Sequence, residues 1–118
     1  MRLDGGDRVL LPEIVDYEVR RETLRARDLR ALALLDGLGR QIEYLPLTTE
    51  TMRLAAEFWA EVRQRRVPTA PETGLDVDVI LAAQAAAAAR GGEETVVATE
   101  NPRHLERLVA ARDWRDVG

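Results

Sequence analysis

The chain of 118 residues contains no cysteine, no serine and no lysine, and a single histidine. The missing cysteine excludes disulfides, thiolate-ligated zinc and thiol catalysis together. The missing serine excludes a Ser-His-Asp triad, and the few threonines show no nucleophile context. Without lysine there is no P-loop lysine and no Schiff base; every basic side chain is arginine, apart from His104. There is no G-x-G-x-x-G either, so a small nucleotide-binding domain has no support. No apolar run approaches the ~18 residues of a membrane span. The start, MRLDGGDR, has no apolar core of a secretory signal, so a cytoplasmic protein with no membrane partner is expected.

What is present is ordinary for a globular domain. Hydrophobic residues make up 46% and charged residues 32%, enough for one domain with one modest core. The net charge of −4 argues against a generally basic nucleic-acid binder, so local arginine clusters count for more than the total.

Apolar periodicity and stop signals divide the chain into alternating elements. Arg8 to Leu11 reads as a buried strand, and Pro12 as the first position of a helix running to about Ala26. Asp28 caps a second helix, Leu29 to Leu38, stopped by Gly37 and Gly39. Ile42 to Leu45 is a strand, and Thr48 or Thr49 caps a helix from Glu50 to about Arg66. Residues 67–74 hold two prolines and a glycine and read as a loop. The stretch DVDVILAAQAAAAA, residues 76–89, follows as a buried helix, with Thr73 and Asp76 at capping-box spacing. Thr95 to Thr99 is a β-branched strand. Asn101-Pro102 opens a last helix to about Arg112, and Trp114 to Val117 is an edge strand. Strands alternating with helices indicate an α/β layered fold with a mostly parallel sheet, whose sites form at the carboxyl ends of the strands.

Four acidic or polar residues stand where such a site would form. Glu18 lies on the helix after the first strand, and is either half of a surface ion pair with Arg21 or Arg25 or a carboxylate near the apolar side. Asp78 lies inside the apolar run, and is either a solvated residue on one polar stripe or a ligand. Asp76 stands at the edge of the same run, and Asn101 follows the 95–99 strand, where it also suits an N-cap. His104 reads as a structural or solvated residue. Glu18 and Asp78 together offer hard oxygen donors without His or Cys, a set that suits Mg²⁺ or Mn²⁺ and hence phosphate chemistry.

LLPEIVDYEVRRE, then DVDVILAAQA, then VVATENPRHLERLV, in that order, resemble the PIN domain, closest to the VapC-like toxin branch of bacterial toxin–antitoxin systems. The resemblance spans about residues 7–112. It implies a PIN-like three-layer fold and a Mg²⁺- or Mn²⁺-dependent endoribonuclease. Its catalytic residues would be Glu18, Asp78 and Asn101, and its metal would be held by Glu18 and Asp78 with Asp76 at the edge. It also implies RNA as substrate and a cognate antitoxin as partner. The family's first strand, with its Asp, has no counterpart before Val9, and Asp4, followed by Gly5 and Gly6, substitutes for it poorly. The chain is therefore expected to be an N-terminally truncated form, to bind metal weakly, to cleave RNA little, and to pair its open sheet edges in a homodimer. The alternative is a non-catalytic PIN remnant that dimerises or binds an antitoxin.

Overall fold

The computed structural model describes residues 8–65, 72–89, 95–99, 110–113 and 115. Four strands and four helices follow one another through them: β1 (Arg8–Pro12), α1 (Glu13–Arg25), α2 (Leu29–Gln41), β2 (Glu43–Leu45), α3 (Thr49–Gln64), α4 (Glu72–Ala89), β3 (Thr95–Thr99) and β4 (Ala110–Asp113). The strands form one sheet in the order β2-β1-β3-β4, and every pairing is parallel. The α/β expectation with a parallel sheet is met.

Val9, Leu10 and Leu11 of β1 are all buried. An internal parallel strand is covered on both faces, and so its side chains are apolar without alternation. In register, Leu10 lies beside Glu43 on one side and Val97 on the other. The chain goes from β1 outward to β2, then crosses to β3 on the opposite side of β1 and continues to β4. The direction of strand order therefore reverses between β1 and β3, and in open parallel sheets ligands bind outside the carboxyl ends of the strands at such a point.

The main core joins β1, Ile14, Val15 and Val19 of α1, Leu35 and Leu38 of α2, Ile42, and Leu81, Ala85 and Ala88 of α4. A second cluster packs Ala55 of α3 against Val79 and Ala83 of α4, with Leu54, Phe58 and Val62 around it. The long helix α4 is thus covered on two sides, which is why its sequence is apolar nearly all round. Among the described residues no helix is long and apolar enough to cross a membrane.

Several boundaries differ from the sequence reading. Pro12 ends β1 and occupies the N-cap of α1 with extended backbone, rather than being the first helical residue. α2 runs through Gly37 and Gly39 to Gln41, because Leu35 and Leu38 bury their side chains and tertiary packing outweighs the ~1 kcal/mol helical penalty of each glycine. α4 begins at Glu72, so Thr73 lies within the helix and does not cap it at Asp76. The last strand among the described residues is Ala110–Asp113, overlapping the end of the stretch read as a helix to about Arg112, and the edge strand expected over 114–117 lies outside the described residues except at 115. Asp28 and Thr48 do cap α2 and α3, accepting from the amides of Ala31 and Thr51.

Candidate functional site

The carboxyl ends of β1 and β2 are Pro12 and Leu45, which lie side by side in register. The helix that follows β1 must start there, yet Pro12 at its N-cap offers no side-chain acceptor for the free amides of the first turn. The acceptor comes from 70 residues away. Gln84 of α4, 1% exposed, accepts a hydrogen bond from the Ile14 amide through Oε1 at 3.1 Å. Its Nε2 donates to the Leu45 carbonyl at 2.8 Å. Glu13, the first residue of α1, accepts from the Leu47 amide at 2.6 Å, so a carboxylate fixes the turn after β2.

α1 carries polar groups on both flanks of its buried stripe. Toward α2, Arg20 donates to Asp16 at 3.0 Å and to Asp36 at 2.7 Å. The two carboxylates hold the Arg20 guanidinium above its usual pKa, with the Asp36 bond the larger cause. Tyr44 of β2 donates to the other Asp16 oxygen at 3.5 Å. Its phenol is pushed up to about 12, first by burial and then by the nearby charges of Asp16 and Glu13. Because Asp16 and Glu18 are two positions apart, roughly 200° around the helix, Glu18 lies on the opposite flank. Glu18 is half-buried, with Arg21 at 3.9 Å. Arg21 also lies over the Tyr17 ring, 5.3 Å from its centre.

The four residues taken from sequence are distributed as follows. Glu18 stands in the second turn of α1, and Asp78 is exposed on α4. Asp76 is also exposed, so the two do not differ in class of burial. They face different ways, by the same rotation of roughly 200°. Asp76 shares its side of α4 with Val79 and Ile80 and lines a groove of about 350 Å³ against Met52, Ala55, Ala56 and Trp59 of α3. Asp78 stands one turn before Leu81, on the side that meets the sheet and α1. Asn101 and His104 lie outside the described residues.

Exposure removes one argument for a metal. A carboxylate buried without a partner would call for a cation, but Asp78 is solvated. The chemistry of the donors still fits. Among the described residues no three acidic or histidine side chains come together. Glu18 and Asp78 are two hard oxygen donors, the number Mg²⁺ takes when waters and phosphates complete its shell. That supply suits one ion better than a closely spaced pair.

The sequence reading passed over the Asp16–Arg20–Asp36–Tyr44 network and Gln84. Gln84 had a readable signal: it is the only polar residue from Val79 to Ala89. A polar side chain inside a buried apolar helix must find hydrogen-bond partners. The Arg20 network had none, since Asp36 is 16 positions away and any of several arginines could have met it.

No protein-family model matches the chain, and no curated protein matches it. Among solved structures, its fold is similar to that of a chain in the crystal structure of DNA-bound VapBC from Salmonella typhimurium, with a TM-score of 0.60 and 25% sequence identity. The match covers 89% of this chain and 74% of that one.

Proposed function

We propose that this chain is the toxin-type partner of a toxin–antitoxin pair, a PIN-like, three-layer Mg²⁺- or Mn²⁺-dependent ribonuclease. The observation that carries the reading is the likeness to a VapBC chain across nearly the whole length. It is supported by a parallel sheet whose strand order reverses beside β1, the strand that leads into the helix of Glu18. Glu18 and Asp78 would hold the ion, with Asp76 outside the first set of ligands and Asn101 orienting the phosphate. When bound, the ion supplies Lewis-acid polarisation of the phosphodiester and an acidified water. The protein's own share is to supply the two carboxylates, while Arg20 and Arg25 stay paired with Asp16, Asp36 and Glu22 and leave the phosphate to the ion. With two firm acids, one ion binds weakly and cleavage is slow.

The exposed apolar groove between α3 and α4 favours a second reading, a non-catalytic protein that dimerises or binds an antitoxin through that surface. Two measurements separate the readings. Purified protein is titrated with Mn²⁺ and tested for RNA cleavage with and without chelator. The enzyme reading expects chelator-sensitive cleavage that falls on the order of 10³-fold, about 4 kcal/mol, in Asp78→Asn and Glu18→Gln. Cleavage unchanged in both variants would locate the chemistry elsewhere. No Mn²⁺ binding, together with a stable dimer by light scattering, would favour the non-catalytic reading.

A further inference from the structure

We propose that Gln84 is a positioning residue for the metal site: it locks the start of α1 and the end of β2 onto α4, and so sets where Glu18 stands relative to Asp78. This inference rests on the assignment of Glu18 and Asp78 made above.

The argument begins with what a glutamine does in that position. An apolar side chain would pack against the same core but would leave the Ile14 amide and the Leu45 carbonyl without these bonds, at a cost of about 1–3 kcal/mol for each group left unsatisfied. A primary amide adds direction. It presents one acceptor and one donor on the same plane. Here the acceptor meets an N–H and the donor meets a C=O, so only one orientation of the amide satisfies both partners. The two partners belong to different elements, the first turn of α1 and the last residue of β2, and both lie at the carboxyl ends of adjacent parallel strands.

α1 has no side-chain cap from its N-cap residue, so this bond from α4 joins the Glu13–Leu47 bond in fixing its first turn. Glu18 follows Ile14 by four residues, about one helical turn. Asp78 precedes Gln84 by six on the same helix. Helices transmit a displacement at one turn to the next, and a misplacement of 1 Å at a reacting centre can lower a rate about 10²-fold. Gln84 touches neither ion nor substrate. It acts through the backbone that carries the ligands.

The test is a double-mutant cycle read by Mn²⁺ binding and by amide exchange of the metal-free protein. Mn²⁺ affinity is measured by electron paramagnetic resonance for the wild type, Gln84→Met, Glu18→Gln and the double variant. Gln84→Met should weaken Mn²⁺ about tenfold, the lower end of what supporting partners of a metal site cost. In the Glu18→Gln background the same change should cost less than about twofold, because its effect runs through Glu18. Exchange of the Ile14 amide should accelerate in Gln84→Met without metal. An equal loss in both backgrounds would show a general packing effect and overturn the proposal. So would unchanged affinity with a fast-exchanging Ile14 amide. Should Gln84→Met fail to fold, Gln84→Glu, whose buried carboxyl is held protonated, accepts from Ile14 with one oxygen and donates its O–H to the Leu45 carbonyl with the other. It should hold Mn²⁺ affinity within about threefold, whereas a fall as large as tenfold would overturn the role through α1. Wild-type protein that binds no Mn²⁺ ends the site assignment along with this proposal; wild type that binds Mn²⁺ no better than folded Gln84→Met ends this one alone.

Discussion

α1 and α4, the two helices that bear the proposed ligands, handle polarity in opposite ways. α1 buries one stripe, Ile14, Val15, Val19 and Thr23, and settles its polar groups in pairs: Glu13 with the Leu47 amide, Asp16 with Arg20, Glu22 with Arg25. α4 is covered on two sides, by the sheet and α1 through Leu81, Ala85 and Ala88, and by α3 through Val79 and Ala83. Among its described side chains it has a single buried polar one, Gln84, and two exposed acids, Asp76 and Asp78. The difference is one of local burial. Where one face is wet, ion pairs form cheaply and contribute little. Where two faces are dry, a polar group survives only with its hydrogen bonds complete, and then it fixes geometry.

The sharpest way to break this contrast is to enlarge alanines on α4. Ala83 is fully buried between α3 and α4, whereas Ala87 is exposed. Ala83→Leu forces extra methylenes into a filled interface and should destabilise by about 2 kcal/mol. Ala87→Leu should stay within about 0.5 kcal/mol. Urea unfolding of both variants decides it. Equal stability would mean that α4 is covered on one side only, as α1 is.

A smaller effect is expected on α1. Arg20→Met removes the bonds to Asp16 and Asp36 but keeps most of the aliphatic stem. Arg20 is about one-third exposed, and Asp36 more so. Solvent screening therefore limits the loss to about 1 kcal/mol or less, and added salt should narrow the gap between variant and wild type. A loss equal to that of Ala83→Leu would show that the pairing on α1 is as demanding as the packing on α4.

The same contrast explains what could be read from sequence. Elements whose signals are local were legible: Asp28 and Thr48 as caps, the apolar run of β1, the β-branched run of β3. The boundaries that moved were those where distant packing decides. Gly37 and Gly39 signal a stop, but a side chain at either would meet nothing, and the buried leucines beside them carry α2 onward. The proline- and glycine-bearing stretch 67–74 reads as a loop throughout, yet the last part of it already belongs to α4. For the site, residue types and order pointed to Glu18 and Asp78. Periodicity also held the information that Asp76 and Asp78 face apart, since two helical positions always do. The bonds of Gln84 to Ile14 and Leu45 span 70 and 39 positions, and no local pattern encodes such partners.

The smallest expected effect is a pH dependence at Tyr44, which sits where the polar side of α1 meets β2. Its phenol is raised from 10.0 to about 12, chiefly by burial and by the Asp16 and Glu13 carboxylates, with Arg20 opposing. A group with a raised folded pKa binds its proton longer in the native state than in the unfolded chain. Its contribution is complete below pH 10 and is lost as pH rises from about 10 toward 12, because the unfolded chain then gains from ionising first. Tyr44 is 39% exposed, so water screens much of this linkage and the stability change is modest. Ultraviolet titration of phenolate absorbance should show one tyrosine ionising late, and Tyr44→Phe should remove that step. Arg20→Met, by taking away the nearby positive charge, should push the Tyr44 step later still. If Tyr44 ionises with an ordinary midpoint and Arg20→Met leaves it unmoved, Asp16 does not carry its charge toward Tyr44, and the network that sets α1 apart from α4 ends at Arg20.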